Sequence, residues 1–399
     1  MAKRKARVRR RLPRVLLLVE TTNTQGMEIL TGISRYIEEH RPWSIYFQER
    51  AITSPIPNWT WTWDGDGIIA RSATYAIHKR FNEMGLPRVE LCGVPQLEAN
   101  RVGYDSAKTG QMAADHLKKC GLTNFGFFAF GMPWWIRSTL NSFQEALQDI
   151  PCDVFVSSKR GQGIYPLWNE SQRKQVARWV QSLPKPIGIF SPAGNSARTL
   201  LNICRESDIP VAEQVAVLCG VEDPVLNRII SPSLSAIEID MVRLGYEAAA
   251  MLDRLMQSDS PPSDQNTVLA GPPFQLVARE STNTLVVDNP DIAKAVRYIR
   301  DHACSGITVR EVADVACMGY RTLERQFTKL LGVTPTHEIR RVQLAHARFL
   351  LSATDVPIES IGPKCGLTSR KYFLTFFRRH EGCTPAQFRK SCLRRYTTL

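Results

Sequence analysis

The chain has 399 residues, 43% apolar and 22% charged, with 24 Gly and 24 Pro spread along it. That composition excludes disorder, collagen and coiled coil, and fits a globular protein of two or three domains. No apolar run approaches the ~18 residues of a membrane span, and the ten cysteines form no Cys-x-x-Cys pair, so they read as reduced thiols of a soluble, cytoplasmic protein.

The net charge of +13 is unevenly spread. Residues 1–14 carry eight Lys/Arg and no acid, a basic arm expected to be disordered or to touch phosphate. The apolar run that follows, Val15-Leu16-Leu17-Leu18-Val19, ends in Glu20-Thr21-Thr22 without a small-residue cleavage site, so it is no secretory signal. From Leu285 onward 19 Lys/Arg face 10 Asp/Glu, whereas residues 15–284 are net acidic. A compact basic tail is the electrostatic footprint for a polyanion, although a solvated basic face would carry the same charge.

Through residues 15–282, short apolar segments (Val15–Val19, Gly67–Ala70, Val89–Gly93, Phe125–Phe130, Val154–Ser157, Ile187–Phe190, Val215–Gly220) alternate with amphipathic ones (Met27–Glu39, Ala107–Lys119, Arg137–Gln148, Ser171–Ser182, Ser196–Ser207, Val242–Met256). Unbroken apolar character marks strands buried on both faces of a parallel sheet. Strand then helix, repeated, predicts a doubly wound α/β fold. Ligands of such sheets bind beyond the carboxyl ends of the strands. The side chains there are Thr22 and Asn23, then Trp135 and Arg137, then Asn195, then Glu222 and Asp223. Amides, carboxylates and guanidinium groups exchange hydrogen bonds with hydroxyls, and an indole covers the apolar face of a sugar ring, so a small polyol suits this set. Thr22, Asn23 and Asn195 equally suit helix N-caps.

An enzyme needs more than this. Dinucleotide and nucleotide phosphate loops, the Gly-x-Ser-x-Gly elbow and the His-Glu-x-x-His pair are all missing, and Gly161-Gln162-Gly163 runs into Ile-Tyr-Pro rather than a helix start. The seven histidines are scattered. No catalytic residue, metal or cofactor is expected.

Three stretches of this body carry a resemblance. They are Ile209-Pro210 running through Val215–Val221 into Glu222-Asp223, then Ser233-Leu234-Ser235-Ala236-Ile237 as a last strand, then Leu244-Gly245-Tyr246-Glu247-Ala248-Ala249 as a last helix. In that order they resemble the periplasmic-binding-protein-like domain of LacI-type sugar regulators, which implies a two-lobed body with a ligand cleft.

The tail contains a repeat. Gly332-Val333-Thr334-Pro335 recurs 50 residues later as Gly382-Cys383-Thr384-Pro385, and Leu323-x-x-x-Phe327 as Phe373-x-x-x-Phe377. Each copy reads helix, tight turn, helix: Val309–Ala316, Cys317-Met318-Gly319, then about Tyr320–Leu330; and Ile358–Cys365, Gly366-Leu367-Thr368, then about Arg370–His380. Two helix-turn-helix units are therefore expected, over 309–330 and 357–380. Gly319 and Ser369 take the N-caps. Arg321, Thr322 and Arg325 project from the first second-helix, and Arg370, Lys371, Tyr372 and Thr375 from the other. Such side chains read base edges and hold phosphates of double-stranded DNA. The 17 helix-like residues Pro335–Leu351 would span about 25 Å, enough to set two recognition helices in neighbouring major-groove turns.

The stretches Thr322-Leu323-Glu324-Arg325-x-Phe327, Lys371-Tyr372-Phe373-x-x-x-Phe377-Arg378-Arg379 and Gly382-Cys383-Thr384-Pro385-x-x-Phe388-Arg389 resemble the AraC/XylS-type DNA-binding domain. Three residues depart from that pattern: Cys317 replaces a turn glycine, Gly319 an N-cap Ser, and Pro363 stands where a helix former is preferred.

An α/β periplasmic-binding-protein-like body followed by an all-α domain with two helix-turn-helix motifs resembles the xylose operon regulators. The expected layout is an arm 1–14, a ligand-sensing domain 15–282, a linker 283–290, a DNA-binding domain 291–392 and a tail 393–399. The resemblance implies a cytoplasmic activator of a pentose operon. It would act as a homodimer on promoter DNA with RNA polymerase, and a sugar such as D-xylose would be its effector. Carried over by position, Arg137 and Asn195 fall where the family contacts sugar hydroxyls and Glu222-Asp223 on its acidic corner, with Asn195 and Glu222 each replacing an Asp. The competing readings are a ligand-independent DNA-binding, dimerising protein and a sugar-modifying enzyme domain with a regulatory tail.

Overall fold

A computed structural model describes residues 11–51, 54–71, 75–91, 100–157, 170–258, 267–269, 274–283 and 289–390. The basic arm as far as Arg10, Ser72, the Gly161–Gly163 segment, most of the expected linker and the tail 393–399 lie outside the described residues. The chain divides into two compact units, Met1–Thr284 and Leu285–Leu399.

In chain order the first unit begins with β1 (Arg14–Leu18), α1 (Thr24–Glu39), β2 (Ser44–Phe47), β3 (Gly67–Ala70), α2 (Tyr75–Glu83), β4 (Arg88–Leu91) and β5 (Asn100–Gly103). It continues with α3 (Ser106–Lys119), β6 (Asn124–Phe130), α4 (Trp134–Leu147), β7 (Cys152–Ser157), α5 (Glu170–Ser182), β8 (Ile187–Ser191), α6 (Gly194–Glu206), β9 (Val215–Cys219), α7 (Leu226–Ile229) and β10 (Ser235–Glu238). It closes with α8 (Met241–Gln257), β11 (Thr267–Leu269) and β12 (Gln275–Val277).

These strands build two sheets, ordered β11-β5-β4-β3-β1-β2 and β12-β10-β9-β8-β6-β7. The described pairings are parallel except β12, which runs antiparallel to β10. The unit is thus two doubly wound lobes, and the chain passes between them three times, from β5 to α3, from β10 to α8 and from β11 to β12. The first two crossings are short and enter helices capped by aspartate. The Asp105 carboxylate accepts from Ala107 N at 2.9 Å, and that of Asp240 from Arg243 N at 2.8 Å. In the first lobe α8 returns to pack on α1 at backbone distance. A Cβ on Gly32 would lie 1.8 Å from Val242 O, and one on Gly245 2.0 Å from Ile29 O, so only glycine fits at either place. The first lobe's core joins Val15, Leu17, Ile29, Ile33, Val89 and Val102 to Leu244, Ala248 and Leu252 of the returning helix.

Several elements escape the sequence pattern. β2, β5, β11, β12 and α2 were not among the expected segments. β5, Asn100-Arg101-Val102-Gly103, has a single large apolar residue, and β4 interleaves Arg88 and Glu90, both buried. Ser233–Ile237 was expected as the last strand, but β11 and β12 follow it. The expectation of burial on both faces fails for β7, whose residues are largely exposed or half-buried. It is an edge strand with one neighbour, and so is β2.

The second unit holds α9 (Pro290–His302), α10 (Val309–Val315), α11 (Tyr320–Leu331), α12 (Pro335–Ala353), α13 (Ile358–Lys364) and α14 (Arg370–Glu381), then a helical stretch over 385–390. Two apolar cores share α12. Its Ile339 joins Ile292, Ile299, Val312, Leu323 and Phe327, while Leu344, Ala347 and Leu350 join Ile361, Phe373, Phe377 and Phe388. The repeated Gly-x-Thr-Pro is a helix stop followed by a helix start. Gly332 and Gly382 close α11 and α14 at φ +69° and +71°, Thr334 caps α12, and Thr384 exchanges hydrogen bonds with Gln387. Pro363 does not disrupt α13. It is exposed in the last turn of a seven-residue helix, matching the length of α10.

Candidate functional site

The two helix-turn-helix units share one turn geometry. After α10, Cys317 N donates to Asp314 O at 3.0 Å and Met318 N to Ala313 O at 2.9 Å; after α13, Gly366 N donates to Pro363 O at 3.0 Å and Leu367 N to Gly362 O at 2.9 Å. The first turn residue is left-handed in both, at φ +51° for Cys317 and +72° for Gly366. Cys317 thus adopts a conformation that costs an ordinary side chain about 1–2 kcal/mol. The second turn is one residue longer, so turns align at 49 residues and recognition helices at 50.

Both recognition helices carry a high density of exposed cations. On α11, capped by Gly319, Leu323 and Phe327 turn inward while Arg321 and Arg325 are exposed and Thr322 is half-buried. A groove there is lined by Arg321, Glu324, Arg325, Thr328, Lys329 and Thr334. The sequence reading missed Glu324, Thr328 and Lys329, which one further helical turn brings onto the same face. On α14, Ser369 Oγ accepts from Tyr372 N at 3.3 Å as the cap, and Arg370, Lys371, Tyr372 and Thr375 are exposed. Arg370 lies 3.4 Å from Glu359, and the Thr375 hydroxyl donates back to Lys371 O at 3.0 Å.

In the first unit, the expected effector residues separate by role. Asn23 is the N-cap of α1, its Oδ1 accepting from Gly26 N at 2.8 Å. Thr22 and Arg137 are exposed, and Trp135 is half-buried at the start of α4. Asn195 is not an N-cap: Ala193 takes that place, and the Asn195 carbonyl accepts from Ser196 N at 2.8 Å within the first turn of α6. Glu222 is spoken for. Both its oxygens face the Arg279 guanidinium, which also donates to Leu234 O at 2.7 Å, and Asn227 Nδ2 donates to Glu222 Oε2 at 3.3 Å. Asp223 bridges the lobes, accepting from Thr24 Oγ1 at 2.9 Å while holding Leu226 N at 2.8 Å.

A second cluster sits at the carboxyl end of β1, where the strand order reverses between β2 and β3; Glu20 and Arg71 follow expected strands, whereas Arg50 was not among the expected residues. Glu20 is 1% exposed and pairs with Arg71 through Oε1; its Oε2 has no hydrogen-bond partner among the described residues. Arg50, 7% exposed, donates from Nη2 to Ser54 O at 2.7 Å, while its Nε has none. Backbone bonds to Thr21 hold Arg50 beside β1, and Glu20 counteracts the fall in its pKa that burial causes. The signal available in sequence was a charged residue following an apolar strand.

The exit of the first unit is stitched to its second lobe. Thr282 Oγ1 donates to Ser235 Oγ at 2.7 Å; Ser235 Oγ also accepts from Arg279 N at 2.8 Å and donates to Arg279 O at 3.1 Å. With the Thr282 proton so used, the 2.9 Å contact from His116 Nε2 to Thr282 Oγ1 requires His116 to donate. Burial lowers the His116 pKa and keeps the ring neutral. His116 stands on α3, which packs on α4 closely enough that a Cβ on Gly110 would meet Thr139 O at 2.4 Å.

Comparison with known proteins bears on both units. Residues 114–282 match the periplasmic binding protein-like domain and residues 312–391 a helix-turn-helix domain. The xylose operon regulatory protein of Escherichia coli K12 is 28% identical, with 94% of this chain and 96% of that protein covered. Its Haemophilus influenzae counterpart is 27% identical over 95% and 98%. The solved structure of the xylose-binding transcription activator xylR superposes with a TM-score of 0.75 at 26% identity, covering 96% of this chain and 99% of that one. The chain is a homologue of these regulators. It is a DNA-binding transcription regulator in which a two-lobed body precedes an AraC-type domain, and the exposed faces of α11 and α14 belong to that domain. Among the described residues no helix is long and apolar enough to cross a membrane, and no group of His, Cys, Asp and Glu could hold a metal ion.

Proposed function

We propose that the chain is a cytoplasmic, non-enzymatic activator of a pentose operon, a homodimer that recruits RNA polymerase when a sugar such as D-xylose fills the cleft. The observation that supports the sugar reading is a pair of buried atoms at the end of β1 with no hydrogen-bond partner among the described residues, one acceptor (Glu20 Oε2) and one donor (Arg50 Nε). A sugar hydroxyl is able to serve both, donating to the carboxylate and accepting from the guanidinium. Trp135 would cover the ring, with Thr22, Arg137 and Asn195 as further polar contacts. Asn23 and Asp223 act as a cap and an interlobe tie, and Glu222 as the partner of Arg279. On the DNA side Arg321, Thr322, Arg325, Arg370, Lys371, Tyr372 and Thr375 read two successive major-groove segments. Sugar shifts the arrangement only by its difference in affinity for open and closed lobes. The shift leaves through α4, α3 and the His116–Thr282 bond.

The test is binding of the purified chain to its upstream promoter DNA at two salt concentrations, with and without a panel of pentoses and hexoses. Specific, steeply salt-dependent binding altered by one pentose, and lost to that sugar in Glu20→Gln, is expected. DNA binding indifferent to every sugar would sink the sensor reading and leave the DNA-binding domain untouched.

A further inference from the structure

We propose that Arg340 is a positioning residue that fixes the second recognition helix against the first helix-turn-helix unit, and thereby sets the half-site spacing this chain accepts. The inference rests on the two-groove reading above.

Arg340 leaves α12 where the two cores meet, between Ile339 of the first and Leu344 of the second. Its guanidinium carbon lies 5.2 Å from the ring centre of Tyr372 and 5.9 Å from that of Phe376, both on α14. Those rings are themselves stacked, 6.2 Å apart at 16°. From the same guanidinium, Nη1 donates to Gln343 Oε1 at 2.7 Å, and Gln343, buried, donates from Nε2 to Ala303 O at 2.8 Å. Through Gln343, Arg340 therefore ties the backbone just after α9 to the aromatic pair Tyr372 and Phe376 of the second recognition helix. A planar guanidinium lays its face on rings while a fixed edge donates a hydrogen bond, whereas a compact ammonium has no flat face to stack and holds both contacts less well.

An independent contact meets the same turn. Gly366, in the turn before α14, is so close to Ala303–Gly306 that a Cβ there would lie 2.8 Å from Gly306 N and 2.9 Å from Ala303 O. The two helix-turn-helix units are thus held together at a backbone contact and at the Arg340 tie, and α14 has one preferred direction relative to α11.

A DNA duplex selected by the full-length chain from a randomised library, with half-sites located by hydroxyl-radical footprinting, provides the probe. Inserting one base pair between half-sites rotates the second by about 34–36° and moves it by about 3.4 Å. The wild type is expected to lose affinity steeply on that insertion. Arg340→Ala should bind the native spacing roughly three- to tenfold more weakly, lose less than the wild type on insertion, and match the wild type on DNA whose second half-site is scrambled. Arg340→Met, which keeps the packing stem, should behave likewise, and Arg340→Lys should fall between. An equal loss on all three DNAs, or an unchanged insertion penalty, would overturn the inference alone. A wild-type footprint confined to one half-site would overturn both it and the two-groove reading.

Discussion

The two readings of Glu222, effector contact or ion-pair partner, separate in one variant. Glu222→Gln removes the charge opposite Arg279 while keeping the side chain's shape and its bond from Asn227. The side chains of the pair are 9% and 10% exposed, so Arg279 would remain buried with Leu234 O and a neutral amide. Breaking a buried pair in this way costs about 3–5 kcal/mol, and the retained amide puts the expectation near about 3 kcal/mol. For a unit of this size each kcal/mol moves the midpoint by about 2–4 °C, so Tm should fall by about 6–12 °C. Glu222→Leu combined with Arg279→Met removes both charges and should recover most of that loss. Thermal melts followed by circular dichroism, paired with sugar calorimetry on the same samples, give both readouts. A Tm within about 2 °C of wild type together with abolished sugar binding would refute the reasoning and return Glu222 to the cleft.

Cys317→Gly relieves a left-handed turn residue and should stabilise the second unit by up to about 1 kcal/mol, seen as a higher denaturant midpoint with an unchanged slope. Burial first, then repulsion from Glu238, Asp240, Asp223 and Glu222, raises the Glu28 carboxyl to about 7 from 4.5. The folded chain then holds a proton that the unfolded chain has released, so this group's contribution to stability declines as pH rises from 4.5 to about 7. Melts at pH 5.5 and 7.5 should show the decline, and Glu28→Gln should flatten it. His116→Ala should leave sugar affinity and sugar-free DNA affinity within about twofold of wild type while shrinking the change in DNA binding that sugar causes. Unchanged coupling in fluorescence anisotropy titrations would remove His116 from the path.

The sequence made the second unit legible almost residue by residue, because helix stops, caps and inward Leu/Phe positions are local. Gly332, Thr334, Pro335 and their repeats state where helices end and begin, and Phe327 and Phe377 state which face is buried. The first unit was legible where strands are central and apolar, as at Leu16–Leu18 and Val215–Cys219. It was partly legible at β4, where the expected Val89–Gly93 overlaps a strand that also buries Arg88 and Glu90, and not legible at β5, whose single large apolar residue hides a strand held by neighbours distant in sequence. The same limit applied to the cleft. That Glu222 would meet Arg279, 57 residues away, depends on β9, β10 and the returning chain lying side by side. That Glu20 would be buried with one oxygen idle depends on Arg50 and Arg71 arriving from two other segments.

The hydroxyl network around Ser235 ends the first unit with its polar groups already matched. Ser281 Oγ donates to Val217 O at 2.6 Å and accepts from Ser235 N at 2.9 Å, and Thr282 is held between Ser235 and His116. Among the described residues, the side-chain hydroxyls of Ser235, Ser281 and Thr282 are all paired within the first unit. Two serines and a threonine thus fasten the last turn of the body to β9 and β10, so a variant at Ser235 would loosen the end of the first unit from its own sheet.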